Sequence, residues 1–495
     1  MKVLFVDIDT LRPDHMGCYG YYRNTTPRMD SVAEEGTHFE RYYCSDAPCL
    51  PSRASLISGM FGIKHGAVGH GGTAGDRRLY GRDRDFRDPI DSGNFNNIFR
   101  KAGMYTASVS TFPERHSSFW FTAGFNEVFN EGEGGGESGE KVIPYVLNWL
   151  DNNATSRKDW FLHVHLWDPH TPYRAPAEFG NPFEDDDMSG CWIDEETFAR
   201  HQKAVGPHTL NELNMYDDHE SDMYPRNPGR ADDMAGLKRI MDGYDCGVAY
   251  TDLLVGQIID KLKELSIYDD TAIIITSDHG ENFGELGIYA EHGTADHACC
   301  NIPLIVKWPG IKKGHVDRDL HYSLDLLPTL CDLLSVEKSH HWDGVSFAPA
   351  LTEGASCGRE SLVISQMAHV CQRSAVFGDW LYMRTYHDGY HLFDREMLYN
   401  LKEDIHEQKD VKDKHPEICA KGAKIILDWQ DDAMSTSRYT EDPMWTVLAE
   451  GGPFHARGHF EEYHDRLVKT GRQEAADLLA RKEEAYKPVT ERNEK

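Results

Sequence analysis

The sequence predicts an α/β protein with a mixed, largely parallel central sheet flanked by helices, followed by a smaller C-terminal α+β subdomain. Two observations support this prediction. Short apolar runs rich in β-branched residues alternate with longer segments of helical periodicity through most of the 495 residues. Near residue 360 the pattern changes to closely spaced short strands. Because parallel strands need crossover helices, the alternation favours helices on both faces of the sheet.

The individual elements follow from the same periodicities. Buried strands are predicted at residues 3–8, 105–109, 160–167, 272–276 and 303–308, and helices at 94–102, 140–151, 234–265 and 323–334. In the third helix the apolar side chains fall near one face, at Leu237, Met241, Tyr244, Val248, Leu254, Ile258 and Leu262. The functional loops of such a sheet belong at the carboxyl ends of its strands.

Three segments are predicted along the chain: an α/β domain at 1–360, a small subdomain at 361–434 and a helical tail at 435–495. In the subdomain, antiparallel strands are predicted at 362–366, 373–377, 380–385 and 390–393, with Asp388-Gly389 as a hairpin turn and a helix at 417–431. The tail is predicted to be helical after Phe460. Residues 174–232 are predicted as an insertion, either beside the functional site or as a plain surface excursion.

The chain is strongly acidic, with 82 Asp and Glu against 52 Lys and Arg and a formal net charge of −30. This charge argues against nucleic acid and anionic membranes as partners. No apolar run is long enough to cross a bilayer, and the apolar stretch after Lys2 is too short for a secretory signal, so we expect a cytoplasmic protein. The 11 cysteines lack the regular spacing of a disulfide framework.

Residues 49–59 form the most informative motif, Cys-Leu-Pro-Ser-Arg-Ala-Ser-Leu-Ile-Ser-Gly. Pro51 suits the first turn of a helix and Gly59 suits its end. Cys49 then lies at a helix N-terminus, where free N–H groups and the helix dipole favour an anion, and Arg53 adds a planar cation. The alternative is an ordinary Cys-Pro turn that opens a core helix. The motif resembles the signature of the type I sulfatases, which belong to the alkaline phosphatase superfamily.

The resemblance implies an alkaline-phosphatase-like fold and a specific chemistry. Cys49 would be oxidised to formylglycine by a formylglycine-generating enzyme. One hydroxyl of the hydrated aldehyde would attack the sulfur of a sulfate ester, and the second would then expel sulfate. Arg53 would hold the diol.

The resemblance also implies a divalent metal, bound by Asp9, Cys49, Asp278 and His279. Asp9 follows the first predicted strand, and Asp278-His279 follow the strand that ends near residue 276. Carboxylates favour Ca²⁺, the ion we expect first, whereas the His279 nitrogen leaves Mn²⁺, Mg²⁺ and Zn²⁺ open.

The first metal motif departs from a common form of the family, which has two adjacent aspartates. Thr10 stands in the second place. Asp7, two residues before Asp9 on the same strand face, is either a substitute ligand or a buried carboxylate paired with a base.

Two histidines are candidate proton donors. His170 lies in Asp-Pro-His-Thr-Pro-Tyr, directly after a predicted strand, and resembles the sulfatase histidine that contacts the ester. His292 stands where many sulfatases have a lysine. Either imidazole could protonate a leaving alcohol near neutral pH. The alternative for both is a structural histidine, which is the role we predict for His163 and His165.

Four residues are candidate substrate ligands. Sulfatases often place Lys-x-His after the strand at 105–109. Here Arg115 and His116 either supply those charges from a shifted position or are ordinary loop residues. In the tail, His455 and Arg457 lie in an aromatic and basic cluster. This cluster either completes a substrate pocket, on its own or a neighbouring subunit, or simply caps the fold.

Together these interpretations predict a sulfatase that hydrolyses a sulfate ester, with a saccharide as the favoured substrate because the loops are rich in Trp, Tyr and His. One alternative is a phosphonate or phosphate ester hydrolase of the same superfamily. A second is a non-catalytic protein that binds sulfated glycans. A homo-oligomer formed through the tail is a further candidate assembly.

Overall fold

The computed structural model describes residues 1–79, 90 and 93–486. Its strands are β1 Lys2–Ile8, β2 Thr37–Phe39, β3 Tyr42–Tyr43, β4 Asp46–Ala47, β5 Tyr105–Val109, β6 Glu127–Phe129, β7 Trp160–Leu166, β8 Thr271–Thr276, β9 Asn282–Phe283, β10 Tyr289–Glu291, β11 Leu304–Lys307, β12 His315–Asp317, β13 His321–Tyr322, β14 Ser361–Gln366, β15 Cys371–Phe377, β16 Trp380–His387 and β17 Glu396–Asn400. The five strands predicted for the α/β domain are all present.

The α-helices of the described residues are Pro27–Glu34, Cys49–Ser58, Gly62–His65, Phe95–Lys101, Phe112–Arg115, Gly139–Asn153, Glu195–His201, Met234–Glu264, His297–Cys300, Leu326–Leu334, Ala348–Glu353, Pro416–Thr436, Pro443–Ala449, Phe460–Lys469 and Gln473–Tyr486. The four helices predicted for the α/β domain are present, with ends shifted by a few residues. None of the described helices is both long and apolar enough to cross a membrane.

The central sheet has the strand order β12-β2-β11-β8-β1-β7-β5-β6. The five strands from β8 to β6 run parallel, whereas β11 is antiparallel to both β8 and β2. The sheet is therefore mixed and largely parallel, as the sequence predicts. In register, Lys2 lies opposite both Trp160 and Thr271, so the carboxyl ends of β1, β7 and β8 meet at one edge.

Successive residues of β1 point to opposite faces of the sheet, and each face has its own core. Val3 and Phe5 pack with the helices Cys49–Ser58, Phe95–Lys101 and Leu326–Leu334. Leu4 and Val6 pack with Gly139–Asn153 and Met234–Glu264 on the other face. The strands are covered on both sides, which explains why they read as continuous apolar runs.

A second sheet has the order β17-β16-β15-β14-β4. Four of its strands come from the predicted subdomain. The fifth, β4, lies directly before Cys49 and pairs in parallel with β14. The C-terminal sheet thus supports the chain segment that leads into the 49–59 motif. The exact domain boundaries stay a prediction.

One predicted strand is wrong. Residues 390–393 form part of the connection between β16 and β17, and the strand lies at Glu396–Asn400 instead. Tyr390 and Leu392 have positive φ angles of 75° and 60°, which a strand cannot accommodate. Their side chains pack against the tail, where the Tyr390 hydroxyl donates to the Ala456 carbonyl. Tertiary packing has therefore overridden a local β pattern.

The tail is helical after Phe460, as predicted, and forms two helices, Phe460–Lys469 and Gln473–Tyr486. A short helix at Pro443–Ala449 precedes them. The predicted tail residues 487–495 lie outside the described part of the chain.

Candidate active site

The site lies at the carboxyl edge of the central sheet, where the predicted functional residues converge. Asp9 follows β1, Asp278 and His279 follow β8, and His170 follows β7. Because these three strands are neighbours in register, their ends bring the side chains together.

The helix Cys49–Ser58 delivers Cys49 to this edge. Cys49 is its first residue, and Gly59 ends it with a φ of 69°, which glycine adopts without strain. Ser52 ties the first turn to β8 by donating to the Asp278 carbonyl at 2.6 Å. The Cys49 Sγ lies 3.0 Å from Nε2 of His279 and 3.8 Å from Nε2 of His170. Cys49 is 1% exposed.

Arg53, one turn further along this helix, holds the carboxylates in place. Its Nε donates to Asp7 at 2.9 Å, and its Nη1 donates to Asp9 at 2.9 Å and also to Asp278. Nη2 lies 2.7 Å from Nε2 of His165. Among the described residues, the guanidinium thus forms hydrogen bonds with these carboxylates and one imidazole, and it forms none with Cys49. Asp7 is thus a buried carboxylate hydrogen-bonded to Arg53, as are Asp9 and Asp278, and whether it is also a ligand stays a prediction.

The buried carboxylates outnumber the cation beside them. Asp7, Asp9 and Asp278 surround one guanidinium, and burial holds the pKa of His279 near 3, so that ring is neutral. Burial, with Asp9 and Asp7 adding to it against Arg53, raises the pKa of Asp278 well above its usual value. Excess buried negative charge is unfavourable unless a cation compensates it.

A divalent metal fits this arrangement. Oδ1 of Asp9 is buried and has no hydrogen-bond partner among the described residues. One ligand atom from each of Asp9, Cys49, Asp278 and His279 lies within 4.8 Å of the others. Nδ1 of His279 donates to the Gly280 carbonyl at 2.8 Å, which leaves the Nε2 lone pair facing the cluster.

His292 borders the same cluster. Its ring centroid lies 4.2 Å from that of His279. Its Nδ1 is 3.2 Å from Glu281 and its Nε2 is 3.0 Å from Glu291, so carboxylates flank both ring nitrogens. Although burial opposes the charge, Glu291 holds the pKa of His292 well above its usual value. We call Asp9, Cys49, Arg53, Asp278, His279 and His292 the charged cluster.

His170 differs from His292 in its hydrogen bonding. Its Nδ1 donates to the Thr171 carbonyl, so Nε2 carries the lone pair that faces Cys49. Burial holds the pKa of His170 well below its usual value, and the ring is neutral. His170 is therefore an acceptor, whereas His292 holds a proton.

A cavity of about 400 Å³ opens above the charged cluster, with His170 and His292 in its lining. Histidines from distant segments form part of its lining, and we call His70, His208, His369 and His455 the histidine wall. The predicted insertion 174–232 also contributes, through His208, Leu213, Asn214, Met215, His219, Ser221, Tyr224 and Asn227. The insertion therefore lies beside the site, the first of the two alternatives for it.

The four candidate substrate ligands fall in different places. Arg115 and His455 line the cavity, and His455 does so in its own chain. His116 packs beside the wall, with its ring centroid 5.1 Å from that of His70. Arg457 is not in the lining. Its Nη2 instead donates to Glu450 at 3.1 Å.

Several residues of the site were not predicted from the sequence. His165, predicted to be a packing residue, bonds Arg53 and lies 3.3 Å from Asp9. His163 and His165 are two positions apart on β7, so both rings lie on one face of the sheet. This spacing could have indicated that the two histidines act together. His70, His208 and His369 carried no motif that could have indicated them.

This fold and site define a hydrolase of the alkaline phosphatase type, with a buried Cys, Asp and His cluster at the carboxyl edge of a mixed sheet. The sequence model of the sulfatase family matches residues 2–336. The chain therefore belongs to the sulfatase family, as a type I sulfatase of the alkaline phosphatase superfamily, and is a sulfuric ester hydrolase.

Individual relatives agree with this membership. A choline-sulfatase of Rhizobium meliloti (strain 1021) is 26% identical over 423 residues, which cover 75% of this chain and 75% of that protein.

Two solved structures share the fold. One, in complex with its substrate D-glucosamine-2-N,6-O-disulfate, has a TM-score of 0.70 at 18% identity and covers 90% of this chain and 99% of its own. The phosphonate monoester hydrolase of Agrobacterium radiobacter has a TM-score of 0.67 at 20% identity and covers 87% of this chain and 96% of its own. At these identities the likeness establishes the fold alone.

Proposed function

We propose that this sulfatase hydrolyses a sulfate ester of a saccharide, with a formylglycine derived from Cys49 and a divalent metal. The observation that carries the proposal is the position of Cys49, at the first residue of a helix and within 4.8 Å of the ligand atoms of Asp9, Asp278 and His279. The histidine, asparagine and tyrosine side chains of the cavity supply the hydrogen bonds that a saccharide needs.

The state of the thiol argues against unmodified Cys49 as the nucleophile. Burial, with Asp9 adding to it, raises the pKa of the Cys49 thiol to about 12. At neutral pH an unmodified Cys49 is therefore protonated and a poor nucleophile. As formylglycine, the same position would present the hydroxyl of a hydrated aldehyde without having to ionise a buried thiol.

Asp9, Asp278 and His279 would hold the metal together with residue 49, with Ca²⁺ as the first candidate and Mn²⁺, Mg²⁺ or Zn²⁺ compatible with the nitrogen ligand. When bound, the ion would neutralise charge on the sulfate oxygens as a Lewis acid. Arg53 orients the three carboxylates through its hydrogen bonds, and its role is to position the ligands.

The two histidines divide the proton transfers. His292 holds a proton between Glu281 and Glu291 and is the candidate acid for the leaving alcohol. His170, with its lone pair towards residue 49, is the candidate base that accepts a proton from the nucleophile. Arg115 in the cavity lining would contact the anionic group of the substrate.

The test begins with the mass of the peptide that contains residue 49, from protein co-expressed with a formylglycine-generating enzyme. The same protein is then assayed on 4-nitrophenyl sulfate, phosphate and phosphonate esters. We expect formylglycine, and a kcat/KM for the sulfate at least about 10-fold above the others, because a tenfold preference needs only about 1.4 kcal/mol. Cys49→Ser, which has a similar volume, is the control and should be inactive.

Other outcomes would redirect the assignment. Faster phosphonate hydrolysis by the modified enzyme would favour the phosphorus-ester alternative. Turnover by protein whose residue 49 remains cysteine would remove formylglycine from the proposal. Tight binding of a sulfated saccharide without turnover, by protein that carries the modification and metal, would favour the non-catalytic alternative.

A further inference from the structure

Three members of the histidine wall converge although they come from distant parts of the chain. His70 follows the helix Gly62–His65, His369 lies in the turn after β14, and His455 belongs to the tail. One ring nitrogen of each lies within 4.8 Å of the other two, and all three side chains line the cavity. None of them takes part in the proton transfers or the first metal site proposed above.

We propose that His70, His369 and His455 form a second metal site, which takes a zinc-class divalent ion. Zinc prefers three or four ligands in a tetrahedral arrangement, with zinc–nitrogen distances of about 2.0–2.1 Å, so the bound nitrogens lie about 3.4 Å apart. Nδ1 of His70 and Nε2 of His455 are 2.9 Å apart, and small rotations of the rings would satisfy this distance.

The imidazoles are in the charge state that a metal requires. Burial, with the neighbouring imidazoles adding to it, holds the pKa values of His70 and His369 well below the usual range, and burial lowers that of His455 to about 4. All three rings are therefore neutral near pH 7 and have a lone pair for a metal.

The surroundings of the cluster also suit a metal site. Nε2 of His70 is buried and has no hydrogen-bond partner among the described residues, so no hydrogen bond at that nitrogen opposes the ring rotation that ligation through Nδ1 requires. Oε1 of Glu291 lies 3.7 Å from Nε2 of His369, where a small movement would let it orient a ligating ring. The rings of His369 and His455 stack at a centroid distance of 4.2 Å, so one ring must tilt for both nitrogens to reach the same ion.

Three histidines leave the fourth position of a tetrahedral ion open, and here it faces the cavity. That position would accept an oxygen, such as a carboxylate or hydroxyl of the bound substrate. The ion would be held separately from the one at the charged cluster, and the inference does not depend on sulfate as the substrate.

The test measures metal binding without reference to turnover. The protein, without a histidine tag, carries Asp9→Ala, Cys49→Ala, Asp278→Ala and His279→Ala to remove all four candidate ligands of the charged cluster. This background leaves Asp7 paired with Arg53 and keeps the buried charge balanced. Dialysis against Co²⁺ or Zn²⁺, metal analysis and the visible spectrum of bound Co²⁺ then report the second site.

We expect one ion per chain in this background, with the absorption of four-coordinate Co²⁺. Adding His369→Ala or His455→Ala should weaken binding by on the order of 100-fold or more, because each removes a ligand. His219→Ala, which changes another histidine of the cavity lining, is the matched control and should retain the ion.

Two results would overturn the inference: no bound ion in the folded background, or binding that survives both His369→Ala and His455→Ala. Circular dichroism of each variant separates loss of a ligand from loss of the fold. The unsubstituted protein tests the two proposals separately. If it binds Co²⁺ at these histidines but does not hydrolyse sulfate esters, the proposed reaction is wrong and the second site still stands.

Discussion

The charged cluster takes most of its side chains from the ends of adjacent parallel strands and the helix that starts at Cys49, whereas the histidine wall takes its residues from a loop, an insertion, a subdomain turn and the tail. The cluster is closely hydrogen-bonded, with Arg53 as its centre. The wall consists of imidazole rings that contact one another. The difference suggests that chemistry depends on the sheet edge and that selectivity depends on the segments around it.

The largest expected effect lies in the charged cluster. His292→Ala should lower kcat for an alkyl sulfate by on the order of 100-fold or more, since a general acid contributes at least that factor when the leaving alcohol is a poor one. On 4-nitrophenyl sulfate, whose leaving group needs little protonation, the loss should be at most about 10-fold. Initial-rate kinetics on the two esters measure the contrast.

His292→Lys provides the control, because lysine also carries a proton and should recover much of the lost rate. Equal losses on both esters would show that His292 does not protonate the leaving group.

A smaller effect is expected at the wall. His455→Ala should raise KM for a sulfated saccharide by about 10-fold with little change in kcat, because the ring lines the cavity away from residue 49. Arg457→Ala, two residues along, is the matched comparison. Its partly exposed pair with Glu450 contributes little, so KM should stay the same. A fall in kcat alone for His455→Ala would contradict the assignment of the wall to binding.

The smallest expected effect concerns His65, a buried histidine that serves packing and lies outside both the charged cluster and the histidine wall. His65 is fully buried, accepts from the Ala67 N–H and lies 2.9 Å from the Ser55 hydroxyl. Burial lowers its pKa to about 3, so only the unfolded chain takes up a proton as the pH falls through about 6.5. The folded state then loses stability on acidification.

When the pH falls from about 7.5 to about 6.0, protonation of His65 in the unfolded chain should lower the free energy of unfolding by about 0.8 kcal/mol. Denaturant unfolding of the wild type and of His65→Gln at both pH values gives the free energy of unfolding of each protein. Because glutamine does not titrate, the stability of the wild type relative to the variant should fall by that amount at the lower pH. Asp9 provides the contrast, since Arg53 holds its pKa well below the usual value and it stays charged throughout this range. A difference that does not change with pH would mean that His65 takes up protons equally in the folded and unfolded states, so that burial does not lower its pKa.

The sequence by itself predicted the α/β class and the central strands, and its resemblance to the type I sulfatases implied the convergence of Asp9, Cys49, Asp278 and His279. These predictions are local, because a strand end fixes where the next residue lies and a parallel sheet aligns those ends at one edge. The 49–59 motif carried its helix, its Gly59 end and the position of the candidate nucleophile within eleven consecutive residues.

Tertiary structure alone decided the histidine wall, the network around Arg53 and the conformation of residues 390–393. Nothing in the residues near His70, His369 or His455 indicates that the three rings meet, because their contacts join segments as far apart as the 385 residues between His70 and His455. The left-handed Tyr390 likewise depends on its packing against the tail. Local propensity fixes elements and their ends, whereas contacts between distant segments depend on how all the elements pack together.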